Sequence, residues 1–281
     1  MIKLPTFDPP PDIRLIAADM DGTLLDDDKA LHEHFWPLVD ELFHRGVLFC
    51  VASGRQYANL YNRFRAVAEE MVFLAENGAY VVRGAQEISS QTMDRDLVDE
   101  LIVALRDLAA SGADVGAVVC GKRAAYIERV DARFREKVDL YYASQQVVTD
   151  LLDRPDDGIL KFTAYDFQSA EDITAPALAG FRDRAQVVVS GAHWLDVMDP
   201  ATNKGAGIRS IQKALGLTPA QTMVFGDFLN DLEMMDVADY SFAMDNAHPL
   251  LRERARYVAP PNTENGVVRT ISAVLGLPWT S

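Results

Sequence analysis

The stretch LIAADMDGTLLDDD, residues 15–28, carries an apolar run straight into a cluster of acids. Buried carboxylates are costly unless they are paired, hydrogen-bonded or bound to metal. Lys29 is the nearest basic residue downstream. A core strand that ends by aiming Asp19 and Asp21 at one spot therefore needs compensating charge from a distant part of the chain or from a cation.

Reading outward, residues 13–18 predict a short buried strand, and Gly22 and Thr23 turn the chain. Phe35, Leu38, Val39, Leu42 and Phe43 then recur at helical spacing. Pro37 fits only in a first turn, so the helix is expected to start near Phe35, and Gly46 ends it. A second apolar run, residues 47–52, stops at Ser53-Gly54-Arg55. Strand, helix, strand is a βαβ unit, and continuous apolar strands imply a parallel sheet covered on both faces. The pattern returns after residue 200. A helix is expected over 203–216, a strand over 222–227 and a helix over 230–238. A strand over 240–244, a short helix over 248–255, a strand over 257–259 and a closing helix within 262–276 follow. Between these halves the texture changes. Hairpins are expected over 79–92 and 115–128, helices over 94–110, 131–144 and 176–185, and strands over 159–166 and within 187–198. That alternation suits an antiparallel sheet with helices. The expected architecture is an α/β, doubly wound, parallel-sheet (Rossmann-like) core over residues 1–82 and 200–281. An α+β domain over 83–199 interrupts it.

The chain has 281 residues and a formal net charge of -15. Such a surface repels polyphosphate and anionic lipid, so neither nucleic acid nor a membrane is an expected partner. No apolar run reaches the ~20 residues that span a bilayer. Residues 1–12 are Pro-rich without a signal-peptide core, which reads as a surface arm on a cytoplasmic protein. Cys50 and Cys120 lie in apolar stretches without a CxxC and read as buried free thiols. Monomer and homodimer are both left open.

In open parallel sheets ligands bind beyond the carboxyl ends of the strands. Four segments meet that description: Asp19-Met20-Asp21-Gly22-Thr23, Ser53-Gly54-Arg55, the helix start at Lys204, and Gly226-Asp227 with Asn230-Asp231. Taken singly each has a plain structural reading as a turn, a cap or a solvated charge. Taken jointly, in this order, they assemble carboxylates, a hydroxyl, an ammonium and an amide. Carboxylate oxygens suit Mg²⁺, and no Cys/His set argues for zinc. Metal and lysine together would stabilise charge in an in-line phosphoryl transfer. Asp26, Asp27 and Asp28 read as a solvated loop. GKRAA at Gly121 lacks the glycine spacing of a P-loop, so ATP-driven chemistry is not expected.

The segments DMDGTLLDDD, VASGR, NKG and GDFLND resemble the four motifs of the haloacid dehalogenase-like hydrolases. The position of the insert resembles the C2-capped branch, and the series that runs on through ENGA, LDV and NGV looks like the Cof-type sugar-phosphate phosphatases. The resemblance covers essentially the whole chain and is loose in the insert. It implies that Asp19 is a nucleophile forming an aspartyl-phosphate, and that Asp21 is the general acid and then base. It implies Mg²⁺ held by Asp19, the Asp21 carbonyl and Asp227. Phosphate would be held by Ser53 and Lys204, assisted by the backbone around Met20 and Gly54 and by the Asn230 amide. Asp231 would orient Lys204 or a metal-bound water. Two departures stand out: Ser53 replaces the commoner Thr and keeps the hydroxyl, and Asp245 precedes Asn246-Ala247 where relatives commonly carry Gly. Asp245 is read as a solvated loop residue. Arg55, Asn77, Lys161, His193 and Trp194 are candidate substrate contacts. The expected partner is a small phosphorylated metabolite, sugar phosphates first. A specialised phosphosugar phosphatase of the sucrose-phosphate or mannosylphosphoglycerate type, a phosphomutase and a catalytically idle binding module are the alternatives.

Overall fold

A computed structural model describes residues 4–278. The chain divides into two units, one of residues up to 54 with 64–89 and 203 onward, the other of residues 55–63 and 90–202.

The first unit is built on one eight-stranded sheet. Its strands are β1 (Leu15–Asp19), β2 (Leu48–Ala52), β3 (Val72–Ala75), β4 (Tyr80–Arg83) and β5 (Gln86–Ser90). The second unit supplies β6 (Val115–Gly121), β7 (Ala125–Ile127), β8 (Gln145–Val147), β9 (Ile159–Asp166), β10 (Gln186–Val189) and β11 (Trp194–Met198). The chain then returns to the first sheet with β12 (Thr222–Gly226), β13 (Tyr240–Met244) and β14 (Tyr257–Ala259). The order in the first sheet is β14-β13-β12-β1-β2-β3-β4-β5. All pairs from β14 to β3 are parallel, and β4 runs antiparallel to β3. From β1 the chain winds to one side through β2 and β3. After the second unit it winds to the other side from β12. The reversal falls between β1 and β12, which is where such sheets open a crevice at their carboxyl ends. Every residue of β1, and of β12, is buried, as strands covered on both faces must be.

Helices enter this unit where the sequence signals place them. Phe35–His44 buries Phe35, Leu38, Val39 and Leu42, with Pro37 in its first turn. Lys204–Leu215 is capped by Asn203, whose Oδ1 accepts from the Ala206 N–H at 2.7 Å, and it ends at Gly216. Gly266–Leu275 closes the unit, preceded by a single 3-10 turn at Asn262–Glu264.

The second unit carries a six-stranded sheet of order β10-β11-β9-β6-β7-β8, antiparallel except for the β7/β8 pair. The helix Arg95–Ala110 buries Leu97, Val98, Leu101, Ile102 and Leu105 in the cluster that also holds Phe162, Ala164, Leu195 and Val197 of the sheet. Its N-cap, Asp94, accepts from the Asp96 and Leu97 N–H groups. Phe134, Val138 and Tyr142 join Val118, Cys120, Ala125, Ile127 and Tyr165 in a second cluster.

Several expected elements differ. The helix expected over 131–144 is Ala132–Asp139, and the chain then turns into β8, whose one half-buried and two exposed residues give no alternating apolar pattern. The helix expected over 176–185 is a chain of short turns: Ala170–Thr174, Ala175–Ala177 and Ala179–Phe181. Pro176 and Gly180 prevent one continuous helix. The hairpin read over 79–92 extends the first sheet through β4 and β5, so the second unit begins at residue 90 rather than 83. Residues 55–63, expected in the core, group with that unit. Their Gln56 amide exchanges two hydrogen bonds with the Ser144 backbone, at 2.9 and 3.0 Å.

Cys50 and Cys120 are buried free thiols, and burial pushes the Cys50 thiol up to about 12. The thiolate is the reactive form. Ellman's reagent at pH 8 is expected to leave both cysteines untouched in the native protein and to titrate both in denaturant. Rapid native reaction would contradict this packing.

Candidate active site

Parallel register sets the site. Asp19 lies opposite Ala52 of β2, and Ala18 lies opposite Phe225 of β12. The last residue of β1 therefore stands beside the chain that leaves β2 as Ser53-Gly54 and the chain that leaves β12 as Asp227. Helix Lys204–Leu215 delivers a fourth group. Lys204 is 0% exposed, and its Nζ donates to Asp19 Oδ1 and, at 2.6 Å, to Asp231 Oδ1. Asp231 Oδ2 in turn accepts from the Asp227 and Phe228 N–H groups at 3.0 and 3.3 Å. Asp227 Oδ1 accepts from the Thr23 hydroxyl at 2.9 Å. Close approach makes two glycines necessary. A Cβ on Gly226 would meet the Asp231 side chain at 2.6 Å. Gly22 adopts φ +86°, and a Cβ there would run into the Asp227 carboxylate.

Ligand atoms of Asp19, Asp227 and Asp231 all lie within 4.8 Å of one another. One ammonium cannot balance three carboxylates. Burial raises the Asp19 carboxyl well above its usual range; Lys204 pulls it down, while Asp231 and Asp227 push it further up. Asp227 is raised by the same burial and by Asp231, against the Thr23 hydrogen bond and Lys204. For Lys204, burial alone would lower the ammonium, but attraction to Asp19 and Asp231 outweighs it and the group is held charged. An all-oxygen, over-acidic group fits a hard divalent cation, and no His or Cys belongs to it.

The other expected residues fall in three places. Ser53 is buried at the end of β2, its N–H donating to the Leu74 carbonyl at 2.8 Å and its carbonyl accepting from the Asn77 N–H at 3.0 Å. A Cβ on Gly54 would meet the Asn77 amide at 3.1 Å, and the Asn230 amide donates to Asn77 Oδ1 at 3.2 Å. Ser53, Gly54, Asn77 and Asn230 therefore stand side by side. Met20 is buried beneath the turn. Asp21 is part-exposed, and its Oδ1 lies 3.2 Å from Lys29 Nζ. Arg55, Lys161, His193 and Trp194 belong to the second unit. There Trp194 packs edge-on against Tyr141, Tyr142 and Tyr165, and His193 Nδ1 lies 2.8 Å from the Asp166 carbonyl. Lys161 Nζ lies 3.8 Å from Asp196. Asp27 and Asp28 are exposed and Asp26 accepts from the Ala30 N–H, as a solvated loop requires. Asp245 pairs with Arg252 at 2.9 Å.

Two residues take places that the sequence reading does not specify. Thr23, read as part of the turn that ends the first segment, holds the Asp227 carboxylate, and a hydroxyl beside an acidic motif is a usable signal for that. Asn77, read as a candidate substrate contact, stands beside Ser53 and Gly54 with a left-handed φ of +55°.

A doubly wound α/β sheet with a lysine-bridged carboxylate cluster at its switch point defines the class, that of the aspartate-based hydrolases of Rossmann-like fold. The chain belongs to the haloacid dehalogenase-like hydrolase family, whose model matches residues 16–271. It is 31% identical over 269 residues to the 5-amino-6-(5-phospho-D-ribitylamino)uracil phosphatase YbjI of Escherichia coli, covering 94% of this chain and 96% of that one. It is 27% identical over 241 residues to the HMP-PP phosphatase of Cronobacter sakazakii, covering 85% and 86%. Among solved structures, SMU.1108c of Streptococcus mutans superposes with a TM-score of 0.80 at 26% identity, covering 94% of this chain and 99% of that one. These curated relatives are named phosphatases, and the chain is an enzyme of that phosphatase-bearing family.

The crowding of carboxylates makes a stability prediction. Asp227→Asn keeps an acceptor for Thr23 and removes one half-buried negative charge. In chelator the urea midpoint is expected to rise, because burial and Asp231 disfavour the charged Asp227 and the variant carries no charge there. Added divalent cation is expected to stabilise the wild type and not the variant. A variant less stable than wild type in chelator would contradict the charge imbalance.

Proposed function

We propose that the chain is a Mg²⁺-dependent phosphatase that hydrolyses small phosphorylated metabolites, sugar and sugar-alcohol phosphates first, through an aspartyl-phosphate on Asp19. The observation that carries this reading is the buried Lys204 ammonium bridging Asp19 and Asp231 beside Asp227. Asp19, the Asp21 carbonyl and Asp227 would hold the metal. When bound, Mg²⁺ supplies positive charge that offsets the acidic cluster and the phosphoryl oxygens.

In this reading Asp19 attacks phosphorus in line with the ester oxygen. The phosphorus–oxygen ester bond breaks, and Asp21 gives its proton to the departing oxygen. Asp21, now a carboxylate, takes a proton from water as that water attacks the same phosphorus. The acyl-phosphate bond breaks, inorganic phosphate leaves and Asp19 is restored. Lys204 keeps Asp19 oriented and, with Ser53, the Met20 and Gly54 backbone and Asn230, holds the phosphoryl oxygens. Asp231 acts through Lys204. Substrate selection is assigned to the second unit, with Arg55 the first candidate residue. A net charge of -15 works against polyanionic partners.

The relatives supply the first compounds to try. One is named for a phosphorylated ribityl side chain, and another for HMP-PP. Phosphate release would be measured on a ribityl phosphate, hexose phosphates and p-nitrophenyl phosphate, with Mg²⁺ and with chelator. Turnover is expected to require Mg²⁺ and to fall by about 10³-fold or more in Asp19→Asn, as loss of a nucleophile does. Persistent turnover by well-purified Asp19→Asn would falsify the covalent mechanism.

A further inference from the structure

The loop after β1 is held by its own backbone and by side chains from the far end of the chain. On its inner side the Leu25 N–H donates to the Met20 carbonyl at 2.9 Å, and the Leu24 N–H reaches the Met20 carbonyl at 3.1 Å. The Gly22 and Leu25 carbonyls also accept from side-chain amides at the far end of the chain. Asn246 Nδ2 donates to the Gly22 carbonyl at 2.8 Å, and Asn262 Nδ2 donates to the Leu25 carbonyl at 3.0 Å. The two amides are joined, because Asn246 Oδ1 accepts from the Asn262 N–H at 3.1 Å.

The segment that presents Asn246 is itself braced. The His248 N–H donates to the Asp227 carbonyl at 2.8 Å. Arg252 grips Asp245 by its carbonyl at 2.7 Å and by its carboxylate at 2.9 Å. On the other flank of Gly22, the Thr23 hydroxyl holds the Asp227 carboxylate. Gly22 is thus pinned on both sides to the segment that carries Asp227. Such pinning has a physical purpose. A backbone bridge between Asp21 and Leu25 ties the start of the loop, but glycine rotates freely between positive and negative φ, and the Gly22–Thr23 peptide beyond it is fixed by the Asn246 amide. Asn246 is exposed, yet both ends of its amide are committed to backbone groups. Burial does not account for it.

We infer that Asn246, backed by Asn262, is a positioning residue that fixes the Gly22 peptide and so holds the Asp21 carboxyl against the leaving-group oxygen. The inference rests on the proposed role of Asp21 as the general acid. A misplaced acid matters most where the leaving group is a poor one. An alkoxide needs its proton as the ester bond breaks, whereas p-nitrophenolate departs with little help.

The test compares kcat/KM, which reports the first phosphoryl transfer and not the later hydrolysis that is common to every substrate, for p-nitrophenyl phosphate and for the best alkyl phosphate of the panel, in wild type, Asn246→Ala, Asn246→Asp and Asp21→Ala. Asn246→Ala is expected to lose about tenfold in kcat/KM on the alkyl phosphate and less than about threefold on p-nitrophenyl phosphate, the scale of a small displacement near the chemistry. The thermal midpoint is expected to stay near that of wild type, because the side chain is exposed. Asn246→Asp keeps the acceptor for Asn262 but loses the donor for Gly22, and is expected to match the alanine variant. Asp21→Ala is expected to show the same selectivity more strongly. Equal losses on both substrates, no loss on either, or wild-type turnover by Asn246→Asp overturns the positioning role. A non-selective Asp21→Ala removes the acid assignment, and the inference falls with it.

Discussion

The buried ammonium of Lys204 is the interaction on which the site depends. It sits at the first position of its helix, where the macrodipole is positive and a cation is disfavoured. Full burial adds a desolvation cost of several kcal/mol. Two carboxylates, from Asp19 at the end of β1 and Asp231 beyond β12, make the position tenable. Asp231 does a second job with its other oxygen, which accepts the backbone N–H groups of Asp227 and Phe228. One side chain therefore fixes both the lysine and the turn that aims Asp227. The arrangement still leaves more negative than positive charge, which is tolerable in a group built to receive a cation and poor design in one that is not.

Sheet topology explains how residues so distant in sequence meet. Because the winding reverses between β1 and β12, the crevice there is closed by no crossover helix. Parallel register then decides which residues face it. Asp19 is opposite Ala52, so Ser53 is the first residue past the sheet on that side. Gly226 pairs with Ala243, so Asp227 is the first past it on the other side, and the chain beyond β13 reaches Asn246 within three residues of Ala243. The asparagine pair that holds the Gly22 and Leu25 carbonyls is a consequence of that second half of the sheet.

The core was legible because its signals reinforce one another. Continuous apolar runs gave β1, β2 and β12; the Asn-Lys-Gly start and Gly216 gave the helix; the family motifs gave the acids and the lysine. What escaped was set by tertiary geometry. No pattern in ENG marks Asn77 as a neighbour of Gly54, since that follows from positive φ at Glu76, Asn77 and Gly78 in succession. Thr23 looks like any turn residue until Asp227 is in place. In the second unit β8 is too short and too exposed to alternate. The turns around Pro176 keep a helical composition while breaking the helix.

The side chains of the second unit sort by what already occupies them. Trp194 is engaged by three tyrosine rings, and His193 by the Asp166 carbonyl and the Tyr165 ring. Lys161, Thr163 and Asp196 share one sheet face, with the Thr163 hydroxyl donating to Asp196 at 2.7 Å. None of these groups is needed to explain the carboxylate chemistry of the first unit. The acids, the lysine and the loop that carries Asp21 are all fixed within the first unit. Residues of the second can therefore change without disturbing them. Two relatives named for different substrates each match most of this chain, and a shared fold does not by itself fix which substrate a member takes.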